Sequence, residues 1–108
     1  MSLKSDDPLN PIAISLPEAD LASFCRRHHI RELALFGSVV TGGFGPESDI
    51  DMLVEFAPHA EVDLFEFSGM RLELMEIFGR KVDLVTPSSL KPLIKDSILA
   101  NKVVIYAV

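Results

Sequence analysis

The stretch from Leu35 to Phe56, LFGSVVTGGFGPESDIDMLVEF, limits what this chain can fold into more than any other. Its second half alternates. Ile50, Met52 and Val54 interleave with Asp49, Asp51, Leu53 and Glu55. Successive side chains of a strand point to opposite faces, so the apolar set goes to a core and the two aspartates share the other face. At roughly 3.3 Å rise per residue they stand about 6–7 Å apart along the strand. Charge in so apolar a strand is costly unless something compensates it. A divalent cation is the simplest compensation, because hard cations such as Mg²⁺ take oxygen ligands and two carboxylates on one face can converge on metal.

The first half of the stretch supplies complementary chemistry. Leu33, Ala34, Leu35 and Phe36 form a short apolar run that Gly37-Ser38 breaks. Glycine lets the backbone approach a ligand closely. Ser38 adds a hydroxyl, and the N–H groups after it can face an anion if Val39 and Val40 open a helical turn. A phosphate cradle beside a metal-binding carboxylate pair points to phosphoryl or nucleotidyl transfer. A Walker phosphate loop is excluded, since no Gly-Lys-Ser/Thr follows, and the aspartates lack the D-x-D-x-D-G pattern of an EF-hand.

Gly37-Ser38, ten residues, then Asp49-Ile50-Asp51 resembles the glycine-serine and double-aspartate motif of the DNA polymerase beta-like nucleotidyltransferase superfamily. Further features look like its minimal nucleotidyltransferase (MNT) branch: Leu35-Phe36 ahead of the motif, Ser48 before the aspartates, Leu53-Val54-Glu55-Phe56 after them, and the later run Gly79 to Thr86, GRKVDLVT. The resemblance covers roughly residues 18 to 107. It implies an α+β nucleotidyltransferase fold, a mixed sheet of about four strands packed with helices. It implies ATP or another nucleoside triphosphate as substrate, with two Mg²⁺ ions about 3.5–4 Å apart on Asp49 and Asp51. In the superfamily a third carboxylate comes from a neighbouring strand, and Asp83 is the matching position. By the same resemblance Asp49, Asp51 and Asp83 are the catalytic and metal-binding residues, and Gly37 and Ser38 bind the nucleotide. One departure stands out. Relatives commonly carry Arg-Gly where this chain has Thr41-Gly42; Arg80 and Lys81 are the candidate substitutes for that arginine.

With 108 residues, 48% of them hydrophobic and 24% charged, the chain suits one globular domain with a modest core. No apolar run approaches the ~20 residues of a membrane span, and no secretory signal is visible. A single cysteine, Cys25, excludes an intramolecular disulfide and fits a reducing cytoplasm. The formal net charge of -6, without an obvious basic patch, argues against nucleic acid as a partner. Cys25, His28, His29 and His59 lack metal-ligand spacing and read as structural or surface residues.

Taken in order, residues 1 to 14, with Pro8 and Pro11, read as a loose arm, and residues 15 to 108 as the domain. Ser15-Leu16-Pro17-Glu18 reads as a capping box opening a helix to about His28, with Leu21, Phe24 and Cys25 facing the core. Ile30 to Glu32 lead into a first strand; Gly42, Gly43, Gly45 and Pro46 mark a loop. Val62 to Phe78 reads as a long helix stopped by Gly79, with more apolar residues than one stripe requires. The excess is either a partner surface or a helix buried on two sides. Lys81 to Thr86 is a third strand, Leu90 to Ala100 a helix with Pro92 in its first turn, and Val103 to Ala107 a last strand.

The antibiotic nucleotidyltransferases of this superfamily add a helical domain that shapes the acceptor site. This sequence stops soon after its fourth strand, so the acceptor site is expected to be completed by something else. The resemblance implies a helical HEPN-type toxin as partner, with AMP passing to one of its tyrosines and the chain acting as antitoxin. Two other readings stay open: an antitoxin that works by binding alone, and a small-molecule nucleotidyltransferase whose pocket forms in a homo-oligomer.

Overall fold

The computed structural model describes residues 14–108. The expected N-terminal arm therefore lies outside the described residues, Ile14 excepted. The elements are α1 (Glu18–Arg27), β1 (Ile30–Phe36), α2 (Ser38–Thr41), β2 (Ile50–Phe56), α3 (Leu64–Phe78), β3 (Val82–Val85), a 3-10 turn (Pro87–Ser89), α4 (Pro92–Asn101) and β4 (Val103–Ala107). The strands form one mixed sheet in the order β3-β2-β1-β4. β1 pairs antiparallel with β2 and β4, whereas β2 and β3 run parallel. The architecture is α+β, as the resemblance implied.

Strand register decides which side chains share a face. Leu33 lies opposite Val54 and Leu35 opposite Met52, while Ile50 pairs with Val82 and Met52 with Leu84. These residues are buried and join Leu21, Phe24 and Cys25 of α1 and Met70 and Leu74 of α3 in the main core. The alternation Val82, Leu84 in and Asp83 out holds in β3, whose burial runs buried, exposed, buried. The opposite face carries Asp51, Leu53 and Glu55 beside Phe36, Ala34 and Glu32. Leu53 and Ala34 are also buried there, although neither belongs to the main core.

Helix boundaries follow local chemistry. α1 begins later than the capping box predicted: Pro17 holds the cap position and its carbonyl accepts the Leu21 N–H at 3.0 Å. A residue before proline is driven out of the α region, so Leu16 cannot open the helix. The same effect moves the start of α4 from the expected Leu90 to Pro92, with Lys91 extended ahead of it. α3 starts at Leu64 rather than Val62 because Asp63 caps it, accepting the Glu66 N–H at 2.8 Å. It ends as predicted at Gly79, which is left-handed at φ 66. α1 and α3 are tied at their surfaces. Arg27 pairs with Glu73, and His28 lies between Glu66 and Glu73, with Nε2 to Glu73 at 3.1 Å.

Candidate active site

Three chain segments meet at one end of the sheet. β1 leaves it at Phe36, and β2 and β3 enter it at Ile50 and Val82. Phe36 pairs with Asp51, and Asp51 pairs with Asp83 across the parallel strands. Neighbouring strands lie about 4.8 Å apart, so the two carboxylates stand side by side on the face away from the core. Asp49 precedes the first residue of β2 and is exposed, as is Asp83. Asp51 is half-buried.

Gly37 completes the corner. A β-carbon added there would lie 2.2 Å from Oδ2 of Asp51, and its φ of 74° and ψ of -150° belong to a region that side chains avoid. The missing side chain is thus the space the Asp51 carboxylate occupies. Immediately after it, Ser38 opens α2, the helical turn the sequence anticipated, and Val40 and Thr41 N–H groups both donate to the Gly37 carbonyl. The Thr41 hydroxyl donates to the same carbonyl at 3.0 Å.

The electrostatics are those of crowded anions. Burial pushes the Asp51 carboxyl above its ordinary range, and the charges of Asp83 and then Asp49 push it the same way. Among the described residues, no three histidine, cysteine or acidic groups are close enough to enclose an ion by themselves. Mg²⁺ is commonly held by one or two carboxylates together with substrate phosphates and water, and a half-buried aspartate pushed upward by two like charges suits such a cation.

The other singled-out residues lie elsewhere. Cys25 is buried, which pushes its thiol up to about 12 against the smaller opposing effect of Arg26, so it stays protonated. His29 and His59 meet edge to face, 5.4 Å between centroids, beyond the far ends of β1 and β2. A cleft of about 560 Å³ lined by Phe56, Val62, Leu64 and Phe67 also lies at that far end. Arg80, one of the two candidate substitutes for the missing arginine, is already engaged. Its guanidinium donates to the carbonyls of Gly45 and Ser48 and stacks 4.2 Å over the Phe44 ring, which ties it to the loop before Asp49. No sequence signal beyond an arginine next to a helix-ending glycine pointed to that contact.

The pattern of the nucleotidyltransferase domain matches residues 20–105, which contain every one of these elements but the first two residues of α1 and the end of β4. The chain belongs to the nucleotidyltransferase family. Protein adenylyltransferase MntA of Thermococcus cleftensis is 38% identical to it over 77 residues, 71% of this chain and 76% of that protein. A solved toxin-antitoxin structure with AMP-PNP superposes at a TM-score of 0.69 and 22% identity, covering 86% of this chain and 75% of that one. A structure of a tri-AMPylated Shewanella oneidensis HEPN toxin in complex with MNT antitoxin gives a TM-score of 0.58 at 19% identity, covering 84% and 70%. At those identities the two superpositions establish the fold. This nucleotidyltransferase is therefore an enzyme of nucleotidyl transfer with the minimal fold its motif implied, and no described helix is long and apolar enough to cross a membrane.

Proposed function

We propose that this nucleotidyltransferase moves AMP from ATP to a tyrosine hydroxyl of a helical HEPN-type toxin, and acts as the antitoxin of that pair. The observation that carries the reading is the corner where Asp51 and Asp83 pair in register against side-chain-free Gly37, with Ser38 opening a helical turn beside them. Asp49, Asp51 and Asp83 would hold Mg²⁺, as two ions. When bound, such ions neutralise the triphosphate and stabilise charge on the attacking and leaving oxygens.

The chain's own groups do the positioning. Ser38 and the N–H groups that open α2 hold the outer phosphates. Asp83, exposed at the edge of the corner, takes the proton as the acceptor oxygen bonds to the α-phosphorus and pyrophosphate departs. The acceptor comes from another molecule, because Asp49 and Asp83 stand exposed at the corner. Leu64 and Phe65 at the start of α3 are 84% and 93% exposed and Leu93 of α4 is 96% exposed, which supports a partner covering them. The acidic net charge supports a protein rather than nucleic acid as that partner, and the lone buried thiol of Cys25 supports a reducing cytoplasm.

The test is incubation with labelled ATP, Mg²⁺ and the product of the adjacent gene, read by mass spectrometry. The partner is expected to gain a nucleoside monophosphate on tyrosine, and to gain none with Asp51→Asn. A partner that binds and is silenced without gaining mass would establish binding-only antagonism. A partner that does not bind would leave a small-molecule acceptor and a homo-oligomeric pocket.

A further inference from the structure

We propose that Arg80 is a positioning residue for metal binding: its guanidinium clamps the loop ahead of β2 and thereby fixes Asp49 beside Asp51 and Asp83. The inference rests on the carboxylates holding a divalent cation, as argued above.

The loop needs an external hold. Gly42 and Gly43 both have positive φ, 104° and 79°, so the chain turns twice before it reaches Phe44. Gly45 and Ser48 then close a turn on themselves. The Gly45 N–H donates to the Ser48 hydroxyl at 3.0 Å, and the Ser48 N–H donates to the Gly45 carbonyl at 3.1 Å. These bonds shape the turn but do not attach it to anything. Among the described residues, the hydrogen bonds that tie residues 43–48 to another element are the two from Arg80, to the carbonyls of Gly45 and Ser48. The guanidinium also covers the Phe44 ring at 4.2 Å. One side chain thus grips the loop at three points.

The grip is transmitted to one carboxylate. Ser48 is bonded directly to Asp49, and Asp49 lies outside the ladder of β2. On its other side the backbone is anchored at once, since the Ile50 N–H donates to the Lys81 carbonyl at 2.9 Å. Asp49 therefore sits between two anchors, both on the segment Arg80-Lys81 that leads into β3. Gly79 fixes where that segment begins, being the left-handed cap of α3. The same segment and loop enclose a cleft of about 190 Å³ lined by Pro46, Ser48, Asp49, Arg80 and Lys81. Asp83 rides on the strand that Arg80 introduces, so a single residue couples the loop aspartate to the strand aspartate.

Arginine is suited to this task and lysine is not. Its planar fork reaches two carbonyls while its face stacks on a ring. The charge itself is not what the loop needs. Removing Phe44 should therefore loosen Asp49 in the same direction as removing Arg80, whereas an Arg80 acting directly on phosphate would be indifferent to Phe44.

The experiment compares wild type with Arg80→Ala, Arg80→Lys and Phe44→Leu, by two readings that do not depend on turnover. Hydrogen exchange reports the amides of residues 43–50, and electron paramagnetic resonance reports binding of Mn²⁺ in the presence of a nonhydrolysable nucleoside triphosphate. Faster exchange confined to the loop, with Mn²⁺ affinity about 10-fold weaker in all three variants, is expected, which is the scale of losing an outer contact to a metal ligand. Arg80→Lys and Phe44→Leu keep the test open if Arg80→Ala fails to fold. Unchanged loop exchange overturns the clamp. Faster exchange with wild-type Mn²⁺ affinity overturns the positioning role, as does full affinity in Arg80→Lys. A wild-type protein that binds no Mn²⁺ even with the triphosphate present overturns instead the metal reading of the carboxylates, and this inference with it.

Discussion

Glycine at position 37 has two independent reasons to be there, one conformational and one steric. Its φ of 74° strains any side chain, and a β-carbon would intrude to 2.2 Å from Oδ2 of Asp51. Gly37→Ala is expected to cost about 1–3 kcal/mol of stability and to displace the carboxylate, checked by urea denaturation together with Mn²⁺ binding. Asp51 itself works against the fold. Its charge is held half-buried next to two like charges, so Asp51→Asn is expected to raise the melting temperature in metal-free buffer. The same substitution should abolish the rise in melting temperature that Mg²⁺ gives the wild type. A melting temperature that falls in metal-free buffer would count against the repulsion. Ser38 has a milder expected phenotype: Ser38→Ala should weaken binding of a nonhydrolysable triphosphate, measured by calorimetry, while leaving stability within about 0.5 kcal/mol.

At the scale of elements, α3 buries Met70 and Leu74 while Leu64 and Phe65 at its start stay exposed. Met70 and Leu74 are fully buried against the sheet, and Leu74→Ala is expected to cost about 2–5 kcal/mol in chemical denaturation. α3 also carries the acid-sensitive contact to α1. Glu73 is held below its ordinary value of 4.5 chiefly by its hydrogen bond to Arg27, against the opposing effect of burial, with His28 adding to the lowering. A depressed carboxyl contributes stability that is present above its unfolded value and lost as pH falls through the folded one. The α1–α3 contact should therefore weaken below about pH 4.5, and Glu73→Gln should flatten that part of the stability profile, followed by thermal melting across pH 3–6. Much of this was legible in the sequence. The period-two pattern of β2 placed Ile50, Met52 and Val54 in the core, the Gly79 stop ended α3, and β4 appears at its expected bounds. What failed to show were long-range contacts and the effect of proline on its predecessor. Ser15 looked like a cap, but Pro17 sets the start of α1. Arg80 stood only as a candidate substitute for the missing arginine, and its loop contacts did not show because those partners lie more than thirty residues away in sequence. Asp83 joined Asp51 only through resemblance, because parallel register is not written in either strand alone.

At the scale of the whole molecule, the sheet is asymmetric: α1 and α3 cover one face, and the carboxylates look out from the other. On that second face Asp49 and Asp83 are exposed, whereas Leu53 and Ala34 are buried. The double substitution Leu64→Ser with Phe65→Ser should leave stability within about 0.5 kcal/mol per site, since both residues are exposed. It should abolish co-purification with the HEPN-type partner, and unchanged co-purification would move the interface elsewhere. The position of β4 carries one more consequence. It pairs with the interior strand β1, and Lys102 just ahead of it meets Glu32, 70 positions away along the chain. Pairings between such distant segments form slowly, because chain entropy is lost before the contacts compensate. β2, α3 and β3 are contiguous and can assemble the Asp51–Asp83 corner earlier, so β4 is expected to dock last. Until it does, β1 has a bare edge that invites pairing with other chains. Destabilising substitutions in β4 should therefore leave the refolding rate nearly unchanged and accelerate unfolding, so the lifetime of the native protein is governed by a strand that carries none of its chemistry.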